Sequence, residues 1–461
     1  MQYDTVEGSA VHKVIENIGF GKFHVMMVTI LGLRRLVGGS SIAMLTVLEP
    51  YLRCSMKMSV FAASWIIFCQ SFGQIFSPFI VGTISDHFGR KKTMLLFFTL
   101  HSYLSLMVSL SSSYPMILLS QTMVGAVFEC YTLIYPYALE VMPVKQRKCI
   151  TIFEAFFTGG YFLAIVLGMP VLKNLGWRWY LVFTESLPMA VCAILMLFLP
   201  ESPRFLMSSG QRKEAINSLR FIANMNGKEI KDHLVTKDLS VKESEPESSD
   251  VEDSHSDVQD KELSIFTVNT LKILLSISLL RFASFSLSLL LEYATMQVEI
   301  SHIRCGDCAE QQNYELAYIY IGGTVLGFGI AYFMIGYVSR KLSFRILSSL
   351  IFINAVPFHV SVSKDIIRTL FGTAGTLIQT MIYLTSIYNS EVIPTSIRTT
   401  GNGIANAAGS IGSITGAFLG VYLINIDLKL ALGIVDFIVI CLTVVAFSLD
   451  KETKAIPLQD A

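Results

Sequence analysis

Glu140-Val-Met-Pro-Val-Lys-Gln-Arg147 and Glu391-Val-Ile-Pro-Thr-Ser-Ile-Arg398 share one pattern, E-V-x-P-x-x-x-R, 251 residues apart. A second pair of marks lies at the same offset: Glu201, in Pro200-Glu-Ser, and Glu452, in Lys451-Glu-Thr. Gly82 and Gly336 are 254 apart, and basic pairs follow both, Lys91-Lys92 and Arg340-Lys341. The chain is therefore read as two related halves. Each mark sits at the end of a long apolar stretch. A span needs about 20 mostly apolar residues. Twelve such stretches are read, at 25–47, 60–84, 93–112, 115–139, 150–170, 179–199, 269–296, 315–337, 346–362, 366–390, 400–424 and 428–449. They are helices 1 to 12.

The composition agrees. The chain has 461 residues, of which 52% are hydrophobic and 15% charged. A soluble domain carries about 25% charged residues, so this chain lacks the polar surface to face water all round. Lys plus Arg and Asp plus Glu both number 35, and this balance points to no nucleic-acid partner. The expected class is an all-α polytopic membrane protein of two parallel six-helix halves. Its expected parts are an N-terminal segment (1–24), a first half (25–199), a long connection (200–268), a second half (269–449) and a tail (450–461). With the N-terminus in the cytosol, the short cytosolic segments hold fourteen Lys and Arg residues and the opposite ones eight. That bias places both termini in the cytosol. The membrane is either the plasma membrane or that of an intracellular vesicle.

The connection has two parts. Gln211–Asn226 carries Ala215, Leu219 and Ile222 at helical spacing and predicts a short interfacial helix. Residues 242–262 are rich in Ser and acidic residues, which predicts a solvated tether. Ser244, Ser249 and Ser254 are candidate phosphorylation sites there, and the loop is a candidate protein-docking segment. The eight cysteines are scattered. Cys305-Gly-Asp-Cys308 has no second pair or His cluster to complete a metal site, so a loop disulfide is the better expectation. No nucleophile–base set, nucleotide loop or metal constellation appears. No enzyme, cofactor or metal is expected.

The turn after helix 2, Gly82-Thr-Ile-Ser-Asp86-His-Phe-Gly89-Arg90-Lys91-Lys92, resembles the G-x-x-x-D-x-x-G-R-[RK] signature of the major facilitator superfamily. Pro200-Glu-Ser-Pro-Arg204 resembles the P-E-S-P-R signature of its sugar and organic-ion branches. Val14–Phe23 and Gly176-Trp-Arg-Trp179 are most similar to the branch related to the synaptic vesicle glycoproteins. Short segments between helices 1 and 2 and between helices 7 and 8, and the lack of any Asn-x-Ser/Thr sequon, point to its smaller members. The resemblance implies a secondary carrier of a small organic solute, monomeric, working by rocking of the halves. The alternative is a transport-inactive vesicle or surface protein that acts through protein contacts.

The resemblance makes Gly82, Asp86, Gly89, Arg90 and Lys91 a gating latch. Glu140 with Arg147, Glu391 with Arg398, and Glu201 with Arg204 are candidate charge networks at the same face. Ionisable residues at membrane depth are functional candidates by default. Arg34, Arg35 and Glu129 lie about ten residues into helices 1 and 4, roughly 15 Å deep. Glu129 is expected either to pair with Arg34 or Arg35 or to meet a charged solute with them. Arg281 and Glu292 are eleven residues apart on helix 7 and share a face. Gln121, Tyr135, Tyr131, His101, Glu154, Glu185 and Asp436 are weaker candidates. The basic excess favours an anionic or zwitterionic solute. The branch tends to carry a helix-1 acid, where Gly38 and Ser41 stand here, and a helix-4 Arg, where Gln121 stands. These departures put proton coupling in doubt.

Overall fold

The computed structural model describes residue 11, residues 13–143, 146, 149–150, 152–228, 268–300, 315–359, 364–393, 398–449 and 452. Among them all regular structure is helical. Helices 1 and 2 run Lys22–Ser55 and Val60–Phe88, and helix 3 runs Arg90–Ser109. Helices 4, 5 and 6 run Tyr114–Val141, Ile152–Asn174 and Trp177–Met196. Helices 7 to 9 run Val268–Ile300, Glu315–Tyr337 and Arg340–Ala355. Helices 10 to 12 run Lys364–Val392, Arg398–Phe418 and Leu428–Phe447. Eleven of these stretches are long and apolar enough to cross a membrane. Helix 3 is the one that falls short; it carries three basic residues at its start and His101 in its middle. Helix 9 begins six residues before its predicted start, because its first turn is capped from elsewhere in the chain, as described below.

Each half is knit by helices whose backbones touch. A Cβ built on Gly39 of helix 1 would lie 2.0 Å from the Phe157 carbonyl oxygen of helix 5, and one on Gly160 would lie 1.9 Å from that of Leu36. The second half repeats this. A Cβ on Gly412 of helix 11 would lie 2.2 Å from the Phe282 oxygen of helix 7, and one on Gly416 would lie 2.0 Å from that of Ser286. Helix pairs 1·5 and 7·11 are thus the same seam at the same place in each half. Lipid is as apolar as leucine, so small residues that admit close packing drive such contacts.

The N-terminal segment and the helix Arg212–Met225 cover one end of the first half, here termed the loop face. Val11, Val14, Ile15 and Ile18 join Ala215, Leu219, Ile222 and Ala223 in one buried cluster with Phe23 and Met27 of helix 1. The sequence predicts an interfacial helix over 211–226, and its apolar side is turned onto the protein. Asn226 fixes the junction: its Oδ1 accepts from the Phe23 N–H at 3.0 Å, and its Nδ2 donates to the Gly19 carbonyl at 3.2 Å.

Cys54, at the opposite or far-face end of helix 1, is disulfide-bonded, and its partner lies outside the described residues. Cys305 and Cys308 also lie outside them, as does the 242–262 loop with Ser244, Ser249 and Ser254. Cys69, Cys130, Cys149, Cys192 and Cys441 are free.

The glycine seam yields a test with an internal control. Gly160→Ala should destabilise the purified protein by about 1–3 kcal/mol through overpacking. Gly159→Ala should leave it unchanged, since nothing lies within 4 Å of a Cβ there. Thermal unfolding of the two variants side by side reads the difference.

Candidate solute cavity

Helix 4 does not run through the membrane as a regular α-helix. It tightens into a 3-10 turn over Glu129–Leu133. At its start the Glu129 N–H donates to the Ser77 hydroxyl of helix 2 at 3.1 Å. Glu129 and Tyr131 of this turn line a cavity of about 930 Å3 between the halves. Arg35, Tyr135 and Glu154 line it from the first half, and Arg281, Gln379, Tyr383, Ser386 and Asn406 from the second. The lining continues to Leu139, Ile150, Ile335 and Glu391, all at the loop face, so the cavity opens there.

Two adjacent arginines part company. Arg35 faces the cavity and pairs with Glu154 at 2.7 Å. Its guanidinium lies 4.7 Å from the Tyr131 ring centroid and 4.4 Å from that of Phe157. Glu154 also accepts from the Tyr135 hydroxyl. Arg34, expected beside Glu129 at the central site, is instead wholly buried inside the first half. It donates to the Phe128 carbonyl at 2.9 Å and lies over the Phe98 and Phe128 rings. Neither arginine pairs with Glu129, because Glu154 takes one and the half-core takes the other. Gln121 is buried in helix 4 and does not line the cavity. His101 and Glu185 pair with each other at 2.9 Å within the first half.

Arg281 reaches the cavity as expected. It donates to Asn406 Oδ1 at 2.7 Å and to the Ser386 hydroxyl at 3.1 Å. Glu292 shares its helix face but lies three turns nearer the far face, where the halves meet. It accepts from the Thr46 hydroxyl of helix 1 at 2.7 Å and from the Tyr161 hydroxyl of helix 5 at 3.4 Å. Around it, Ile67, Tyr293, Ala417 and Val421 pack across the two halves. The rings of Phe61 and Tyr422 meet at 5.3 Å. Glu292 is thus part of the far-face seal and not of the cavity wall.

At the loop face two charge boxes mirror each other. The Glu201 carboxylate accepts from the Arg90 and Lys91 N–H groups at 3.0 Å, capping helix 3. Glu452 accepts from the Arg340 and Lys341 N–H groups at 2.8 and 3.1 Å, capping helix 9. A carboxylate at a helix N-terminus contributes about 0.3–1 kcal/mol. The Arg90 guanidinium lies 3.4 Å from Glu140, and that of Arg340 lies 3.0 Å from Glu391. The structural repeat therefore matches Arg90 to Arg340, an offset of 340 − 90 = 250, and not Lys91-Lys92 to Arg340-Lys341. These ties come in addition to the pairings expected of Glu140 with Arg147 and of Glu391 with Arg398, which fall outside the described side chains. Arg147 lies outside the described residues, as does the side chain of Arg398. Arg204 is exposed and forms no ion pair among the described residues. Asp86 is exposed and, among the described residues, forms an ion pair only with Arg90, one turn on, at 3.3 Å. Gly89, at φ 96°, makes the turn that brings Arg90 to Glu201. Both boxes close within their own half.

The sequence reading expects helix 10 beside helices 1, 4 and 7 at the site but names no solute-path residue on it, and it leaves out helix 11. Its signal was present: Asn402, Asn406, Gly409, Ser410 and Ser413 recur every three to four residues and all line the cavity.

Comparison with known proteins agrees with this architecture. The family model for the Major Facilitator Superfamily matches residues 35–417. The chain is 27% identical to SVOPL of Danio rerio, over 98% of this chain and 90% of that protein. It is 25% identical to the synaptic vesicle 2-related protein of Rattus norvegicus, over 98% and 82%. A partially occluded inward-open structure of the xylose transporter XylE from E. coli superposes with a TM-score of 0.70 at 18% identity, covering 95% of this chain and all of that one. The chain belongs to the major facilitator superfamily, and the relatives it resembles include members of the synaptic-vesicle-related branch.

Proposed function

We propose that the chain is a secondary carrier of a small organic solute, anionic or zwitterionic, moved by alternating rocking of its halves. The observation that carries this is a charged cavity between the halves that opens at one face and is sealed at the other. Its 930 Å3 lies within the roughly 300–1,000 Å3 range of ligand sites. Apolar and aromatic walls with a few fixed polar groups suit an organic body. One copy supplies the whole cavity, in keeping with a monomer.

The loop face is taken as cytosolic, which makes the present state inward-facing. The disulfide at Cys54 supports this independently of the positive charges, because disulfides persist on the oxidising side. The mirrored boxes at the loop face would hold each half rigid as it turns. The resemblance to vesicle-related proteins suits an intracellular vesicle as well as the plasma membrane.

The carrier reading needs two states. Spin labels at Leu139 and Ile335 report the loop face, and labels at Phe61 and Tyr422 the far face. Pulsed dipolar distances in nanodiscs should show two anticorrelated populations: one face shortens where the other lengthens. A single distance at each face under all conditions overturns the reading and returns the choice to a static interaction protein.

Glu292→Ala removes the Thr46 and Tyr161 ties across the seal. Membrane hydrogen bonds average about 0.6 kcal/mol and reach about 1.7. The far-face-open population should therefore rise several-fold, read by the same far-face labels.

A further inference from the structure

We infer that the solute is a zwitterion which bridges the halves, its cationic group at Glu129 of helix 4 and its anionic group at Arg281 of helix 7. This rests on the carrier reading and narrows it to one charge class.

The charges of the cavity divide into satisfied and unsatisfied ones. Arg35 and Glu154 neutralise each other at 2.7 Å. At the loop-face mouth Arg340 pairs with Glu391 at 3.0 Å. Arg34, which gives the sequence its basic excess, lies outside the cavity. What remains is one acid and one base on opposite walls. Glu129 is 5% exposed and Arg281 is 7% exposed. Neither forms an ion pair within 4 Å among the described residues; the Tyr131 hydroxyl bonds to the Glu129 carboxylate and the two charges attract each other across the cavity, but Glu129 Oε2 and Arg281 Nε have no hydrogen-bond partner there. Asn406 and Ser386 hold the guanidinium in place without neutralising it.

A buried charge without a contacting counter-ion is costly, and a ligand charge of the opposite sign placed against it relieves that cost. A simple anion relieves Arg281 and is repelled by Glu129. A simple cation does the reverse. Only a solute carrying both signs meets both walls. Because the walls belong to different halves, it also ties them together. Phe285 lies beneath Arg281, its ring centroid 5.8 Å from the guanidinium, and Phe157 and Tyr131 line the opposite wall, which leaves an apolar middle for the solute body.

The test uses the full chain in nanodiscs and a series of amino carboxylates from the α- to the ω-amino acids. Each has an N-acetyl counterpart, which is an anion, and a methyl ester counterpart, which is a cation. Ligand-induced thermal stabilisation reads affinity. At least one zwitterion should bind, and both its counterparts should bind at least about thirtyfold more weakly, the effect of leaving one buried charge unpaired. In Glu129→Gln the N-acetyl compound should match or exceed its parent. In Arg281→Gln the methyl ester should do so. A purely structural role would weaken all three compounds together, not invert their order. Equal binding of a counterpart by the unaltered protein overturns the inference, as does silence of every zwitterion. Neither result touches the carrier reading, which the ligand-free distances decide.

Discussion

The architecture depends on helix backbones coming into contact inside a solvent that gives them no other reason to associate. Water drives apolar surfaces together, but lipid does not. Gly39 and Gly160 let helices 1 and 5 meet at carbonyl distance, and Gly412 and Gly416 do the same for helices 7 and 11. Each half becomes a body whose internal geometry is over-determined. Among the described residues no glycine brings two backbones together across the boundary between the bodies, and the cavity lies there. Backbone contact within the halves and side-chain contact between them are two results of one distribution of small residues.

The placement of charge follows the same division. Inside a half, charges are closed off. Arg34 spends its guanidinium on a carbonyl and two rings, and His101 holds Glu185. At the loop face, Glu201 and Glu452 each cap a helix while Arg90 and Arg340 meet Glu140 and Glu391. Between the halves the pattern changes. Glu292 meets hydroxyls from the opposite half, and Glu129 and Arg281 line the cavity with neutral hydrogen-bond partners and no contacting counter-ion among the described residues. The polar groups available to a solute or to a conformational change are concentrated where the bodies can move.

The halves were legible in the sequence because Glu140 and Glu391, and Glu201 and Glu452, keep their offset of 251 and perform equivalent tasks. The register at helices 3 and 9 was not, because basic clusters blur which arginine matches which. Arg34 and Arg35 show a deeper limit. Neighbours on a helix point about 100° apart, so a pair in one span divides between core and cavity. Residue type alone does not say which goes where. Arg281 and Glu292 show the complement: eleven residues do return to one face, but they also climb about 16 Å. That climb takes Glu292 out of the cavity and into the seal. Phase around the helix was readable, and depth relative to the other half was not.

Fold similarity to a xylose transporter settles the scaffold and says nothing of the cargo, since function lives in sites grafted on folds. Here the departures from the branch pattern gain a physical meaning. Where a helix-1 acid would stand, Gly38 leaves room for Arg34, whose Nη1 would lie 3.2 Å from an added Cβ. Where a helix-4 base would stand, Gln121 is buried away from the cavity. The first half keeps one acid–base pair at the cavity, Arg35 with Glu154, while Glu129 and Arg281 stand on different halves without an ion-pair partner within 4 Å among the described residues. On the zwitterion reading inferred above, the solute itself would supply the charge that draws those walls together.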